Sequence, residues 1–221
     1  MSKVVITTVG TSLGGKELLN KNCRDHIDSL SKKSNFTADD IINMKDDSSN
    51  RFLEQCIEYL NNSKRELKDY SAEIASLKLM DLNGEDKVIL LCSDTPDGAF
   101  CGLVDQKYIS ETMKISCELK IIDGLEASEG EKFLSGLKNV AKETKKIINE
   151  NSDYNEVIIN ITGGFKGAIP MLTVLATAKN FRIYYLHMES SKLIRIDPKI
   201  LLDNLDDDQE IERAIHIQIP I

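Results

Sequence analysis

The sequence predicts an α/β protein: a doubly wound, mainly parallel six-stranded sheet in the order 3-2-1-4-5-6, with a helical insertion after the first strand. Three observations carry that expectation. Short apolar, β-branched runs of strand length alternate with longer stretches of three- to four-residue apolar periodicity, as strands linked by helical crossovers do. One of these runs, Val157 to Ile161, is apolar but for Asn160 and suits a strand buried on both faces. Glycine-bearing turns follow the first and fourth runs, where a sheet of this order opens its ligand crevice.

The first strand is Lys3 to Val9 (K-V-V-I-T-T-V), and the small-residue loop Gly10-Thr11-Ser12-Leu13-Gly14-Gly15-Lys16 opens the next helix. Gly10 to Lys16 satisfies the P-loop spacing G-x-x-x-x-G-K. The following position needs a magnesium-binding hydroxyl and holds Glu17, whose carboxylate repels phosphates. An NTPase, with Asp94 or Asp123 as its acid, is therefore the lesser alternative.

Residues 16–86 read as a helical insertion. Thr37 with Asp39 and Asp40 marks a capped helix start, and Ser48 or Ser49 suits a second cap. Phe52, Cys56, Leu60, Leu67, Tyr70, Ile74 and Leu77 form an apolar stripe, either one helix or a pair broken around Asn61-Asn62-Ser63. Core packing is the expected role of that stripe.

Strand two, Lys87 to Cys92, ends in Ser93-Asp94-Thr95-Pro96-Asp97-Gly98. Asp94 and Thr95 either cap the next helix or face a ligand at the strand's carboxyl end. A helix through Cys101 to Met113 leads to strand three, Glu118 to Ile122, closed by Asp123-Gly124. The helix from Glu129 to Asn149 begins with acids and ends with Lys142, Lys145 and Lys146, which suits its dipole.

Strand four stops at Thr162-Gly163-Gly164-Phe165-Lys166, before a helix from about Phe165 to Lys179 with Pro170 near its first turn. A strand, a glycine turn and a helix start make an anion site: glycines admit a close approach, free amides point at the ligand, and Lys166 adds a positive charge. Strand five, Arg182 to Met188, and strand six, Lys192 to Asp197, form a hairpin about Glu189-Ser190-Ser191. In the tail, residues 201–221, Asp206-Asp207-Asp208 reads as a solvated loop. The alternating Ile215, Ile217, Ile219 and Ile221 suit a last strand at a sheet edge or against another subunit.

Composition narrows the function classes. The 221 residues, 41% hydrophobic and 29% charged, fit one large domain, and the net charge of -8 argues against a duplex-DNA binder. Five cysteines, Cys23, Cys56, Cys92, Cys101 and Cys117, are odd in number and lack C-x-x-C spacing, so they read as reduced thiols in a cytoplasmic protein without a structural metal. No run has membrane-spanning length and no leader is evident, so the N-x-S/T matches at Asn35, Asn61 and Asn160 read as chance. The dinucleotide fingerprint G-x-G-x-x-G is absent from the first turn, and no cofactor is expected.

T-V-G-T-S after strand one, D-T-P-x-G after strand two and I-T-G-G-F-K-G after strand four resemble the CARF domain of type III CRISPR systems, over residues 1 to about 200. That resemblance implies a Rossmann-like homodimer that binds cyclic oligoadenylate. The match is nearest to the stand-alone ring nucleases, which cleave the four- or six-membered ring to linear oligoadenylates ending in a 2',3'-cyclic phosphate, without metal. It implies catalytic roles for Ser12 and Lys166. Gly10, Thr11, Asp94, Thr95, Thr162, Gly163, Gly164 and Phe165 are the expected ligand-binding positions. A non-catalytic sensor is the alternative within the resemblance. A ribonuclease R-x4-6-H motif is excluded, because Arg182 and His187 lie five apart on a strand and point to opposite faces.

Overall fold

Val4 to Val9 are buried without a break because helices cover both faces of the strand they form. That strand, β1 (Lys3–Val9), lies inside a sheet completed by β2 (Lys87–Ser93), β3 (Ser116–Ile122), β4 (Glu156–Asn160), β5 (Arg182–His187), β6 (Lys192–Ile196) and β7 (Ile215–Gln218). The order is β3-β2-β1-β4-β5-β6-β7. The first five strands in that order run parallel, and β6 and β7 are antiparallel additions at one edge. The α/β class and the order 3-2-1-4-5-6 are those predicted, with β7 extending the sheet beyond six strands. The structure is a computed structural model and describes residues 2–15, 18–32, 36–43, 47–62, 64–126, 130–189 and 191–218.

Helices follow the strands as α1 (Ser12–Gly15), α2 (Lys21–Ser31), α3 (Ala38–Ile42), α4 (Asp47–Asn62), α5 (Ala72–Leu79), α6 (Pro96–Glu111), α7 (Gly130–Glu150), α8 (Ala168–Lys179), α9 (Pro198–Asp203) and α10 (Asp208–Ala214). Side chains alternate across each strand and so build two cores. Val5, Val9, Val88 and Leu90 face α2, α4, α5 and α6. Val4, Ile6, Ile89 and Leu91 face α7 and α8. The insertion, together with α6, is therefore one of the two layers of the domain. Phe100 of α6 is fully buried in it, and truncation to alanine there costs about 3–5 kcal/mol.

Several boundaries differ from those expected. The apolar stripe is broken: α4 ends at Asn62, and a single 3-10 turn, Leu67–Asp69, precedes α5. Thr37 caps α3 through a capping box with Asp40. Ser48 and Ser49 stand inside α4, whose first described residue is Asp47, and not ahead of it. Buried Ser49 instead lies 3.3 Å from His26 Nε2, and that imidazole stacks on Phe52. α6 starts at Pro96, ahead of Cys101, because Thr95 accepts a hydrogen bond from the Gly98 amide. α8 starts at Ala168, so the turn after β4 is longer than expected. The acidic run in the tail holds a cap: Asp207 accepts from the amides of Gln209 and Glu210 at the start of α10. Ile219 and Ile221 lie outside the described residues. Among the described residues, no helix is long and apolar enough to cross a membrane.

Candidate functional site

Thr7 of β1 pairs with Asn160 of β4, so the two strands release their loops at the same rim of the sheet. The loops touch. A Cβ on Gly10 would stand 3.2 Å from Gly164 Cα, a backbone-to-backbone approach that only a residue without a side chain accommodates easily. Gly164 has φ +85°, and a Cβ there would fall 2.3 Å from Thr8 Cβ. The Thr8 hydroxyl donates to the Gly163 carbonyl at 2.6 Å, stitching β1 to the second loop.

Beneath this contact lies Glu73, near the start of α5, with no solvent exposure. Its Oε1 accepts from the Gly10 amide at 2.9 Å. A Cβ on Gly163 would stand 2.2 Å from the same oxygen, so the carboxyl lies flat against the second loop. Burial raises the pKa of Glu73, against the opposing pull of the Gly10 and Gly164 amides and the Ser71 hydroxyl. Oε2 is buried without a hydrogen-bond partner among the described residues.

A second buried acid stands nearby. Asp105 of α6 accepts from Ser71 Oγ at 3.0 Å, and burial, then the Glu73 charge, pushes its carboxyl well above the usual range. The end of β4 is fastened to α5 as well. Asn160 Nδ2 donates to Ser76 Oγ at 2.8 Å, and Asn160 Oδ1 accepts from the Thr162 hydroxyl at 2.6 Å.

The positions expected to bind or react divide into three groups. Thr11, Ser12 and Lys166 are exposed at the rim, and Lys166 forms no salt bridge among the described residues. Ser12 is two residues beyond Gly10 and Lys166 two beyond Gly164, so each Cα lies within about 7 Å of the loop contact along its own chain. Gly10, Gly163 and Gly164 form the contact itself, with the Gly10 amide already committed to Glu73. The remaining positions have structural partners. The Thr162 hydroxyl sits between Asn160 and the Leu186 amide, and Phe165 packs on Phe133 at 5.4 Å between ring centroids.

Thr95 follows the capping alternative, and Asp94 does not cap the helix. Asp94 Oδ2 accepts from the Gly124 amide at 3.2 Å, and Thr95 caps α6. They line a cleft of about 780 Å³ with Asp97, Asp123, Lys132 and Ser135. Lys16 and Glu17 of the P-loop-like pattern lie outside the described residues. Arg182 pairs with Glu156 at 2.6 Å and with Asp197 at 3.3 Å, while His187 is exposed at the far end of β5. All five cysteines are free thiols; Cys92 is buried, and burial pushes its thiol up. Among the described residues, no cluster of His, Cys, Asp or Glu is arranged to hold a metal ion.

Sequence reasoning missed Glu73, although a signal was present. Tyr70, Glu73, Ile74 and Leu77 stand at helical i, i+3, i+4 and i+7 spacing, which puts the carboxylate on the buried stripe. On sequence alone Asn160 reads only as a chance N-x-T match. A polar side chain closing an apolar strand was the cue to its role.

The family model described as CRISPR-associated protein (Cas_APE2256) matches residues 68–200, more than half of the chain. The match takes in Glu73, Asp105, Asn160 and the Lys166 loop, and starts after the Ser12 loop. No curated protein matches the chain.

Proposed function

Since the chain belongs to the Cas_APE2256 family of CRISPR-associated proteins, we propose that it is a CARF-type ring nuclease that binds cyclic oligoadenylate and cleaves it. The observation that carries this reading is the contact between Gly10 and Gly164. It brings one loop with an exposed hydroxyl and another with an exposed ammonium to the carboxyl end of a doubly wound sheet, the usual ligand crevice of such folds.

The chemistry needs no metal. The ribose 2'-OH attacks the adjacent phosphorus, the P–O5' bond breaks, and the 5'-oxygen leaves with a proton while a 2',3'-cyclic phosphate forms. Much of the rate comes from holding the 2'-oxygen in line with the leaving oxygen, which a two-loop grip on one phosphodiester provides. Lys166 stabilises charge growing on the phosphoryl oxygens, and Ser12 orients a phosphate oxygen or hydroxyl. Gly10, Thr11, Thr162, Gly163, Gly164 and Phe165 form the backbone cradle. Asp94 and Thr95, at the end of the neighbouring strand, border it. A two-fold dimer presents both loops twice to a ring of four or six adenylates.

Incubation of the purified protein with labelled cyclic tetra-adenylate and hexa-adenylate in EDTA tests this. The expected result is conversion to linear product with a cyclic phosphate end. Tight binding without product leaves a sensor, and absence of binding with magnesium-dependent ATP turnover favours the P-loop-like alternative. Lys166→Ala is expected to slow cleavage about 100-fold or more, because it loses charge aimed at the transition state. Its thermal midpoint is expected to stay near that of the parent, since the side chain is exposed. A wild-type rate from this variant would remove Lys166 from the mechanism.

A further inference from the structure

We propose that Glu73 is a positioning residue of this site, the one carboxyl group that holds the Ser12 loop and the Lys166 loop at a fixed separation. The proposal deepens the function proposed above and rests on it for its catalytic readout.

Four features carry it. Glu73 is fully buried and touches both loops, through the Gly10 amide at 2.9 Å on one side and the face of Gly163 on the other. Its helix is anchored independently, by Ser71 to Asp105 and by Ser76 to Asn160, so the carboxyl is not needed to dock α5. Oε2 has no partner among the described residues, which makes the group a poor source of stability: a buried carboxyl with an unsatisfied oxygen costs free energy where an aliphatic side chain would pack. Ser12 lies two residues from Gly10 and Lys166 three from Gly163, the two points it holds. The work left to Glu73 is therefore geometric, and a displacement of about 1 Å at such a site is enough to slow a reaction about 100-fold.

Three variants and two readouts test this. Glu73→Asp keeps the acid and withdraws it by one methylene, Glu73→Leu removes the acceptor at similar volume, and Glu73→Gln keeps an oxygen for the Gly10 amide. Hydrogen exchange at the Gly10 and Gly163-Gly164 amides, read without any ligand, is expected to quicken about tenfold or more in Asp and Leu and to stay near the parent in Gln. With labelled ring, kcat is expected to fall about 100-fold in Asp and Leu while KM moves about threefold or less, and Gln is expected to restore most of the rate.

Unchanged loop exchange in the Asp variant, or a Gln variant as impaired as Leu, overturns the proposal. Should Leu fail to fold, Asp and Gln carry the test alone. Should the parent protein neither bind nor cleave the ring, the functional reading fails while the exchange measurement still decides whether Glu73 holds the loops.

Discussion

Two buried carboxyl groups are the least expected residues in this protein, and their titration has a definite sign. Asp105 lies within the core, its pKa raised well above the ordinary 3.8 by burial and by Glu73. The folded protein thus keeps a proton that the unfolded chain releases as pH rises past that ordinary value. The stability tied to it is whole below about pH 4 and is lost as pH climbs through the raised folded value. Asp105→Asn retains an oxygen for the Ser71 hydroxyl and cannot ionise. Between pH 4 and pH 8 the stability gap is expected to move in the variant's favour, as urea midpoints at the two pH values read it. A gap independent of pH would mean that Asp105 does not titrate in this window.

The turn between β4 and α8 depends on glycine in a way that the strands do not. Gly164 adopts φ +85° and abuts Thr8, so Gly164→Ala adds backbone strain and a clash with a strand that has no room to move. A loss of about 1–3 kcal/mol is expected from the strain alone, measured as a lowered unfolding midpoint. Cleavage is expected to fall as well, since the Lys166 loop must lift off β1. Parent-like stability and rate would show that the loop contact is dispensable. α5 meets this turn from below. Ser76, Glu73 and the Asn160 amide join a helix of the insertion to the end of β4, so the insertion supports the rim as well as covering the sheet.

At the scale of the whole molecule, the proposed substrate sets the prediction. A ring with two-fold symmetry seated on a two-fold dimer is bound at one ring per two chains. Titration calorimetry with Lys166→Ala, which slows turnover during the measurement, is expected to give a stoichiometry of about one half per chain, with light scattering at the dimer mass. One ring per chain, on a monomer, would exclude the shared site while leaving single-chain binding in place. The antiparallel edge formed by β6 and β7 lies at the end of the sheet away from β3, so the parallel rim stays within the strands that carry both loops.

The sequence by itself determined the alternation of strands and helices, the order of the sheet and the pairing of the two glycine loops. Each rests on local signals: β-branched runs, glycine turns and a crossover rule that leaves few topologies. Val157 to Ile161 announced a strand buried on both sides, and Gly163-Gly164 announced a close approach, from a few adjacent residues each. Only the tertiary structure decided what lies under that approach. Glu73 and Gly10 are 63 positions apart, and nothing local says that the carboxyl of one meets the amide of the other. The same holds for the Thr162 hydroxyl, which meets the Leu186 amide, and for the Phe165 ring, which packs on Phe133. A polar side chain shows its type in the sequence, but its partner is chosen by packing, and that choice is made across the whole fold.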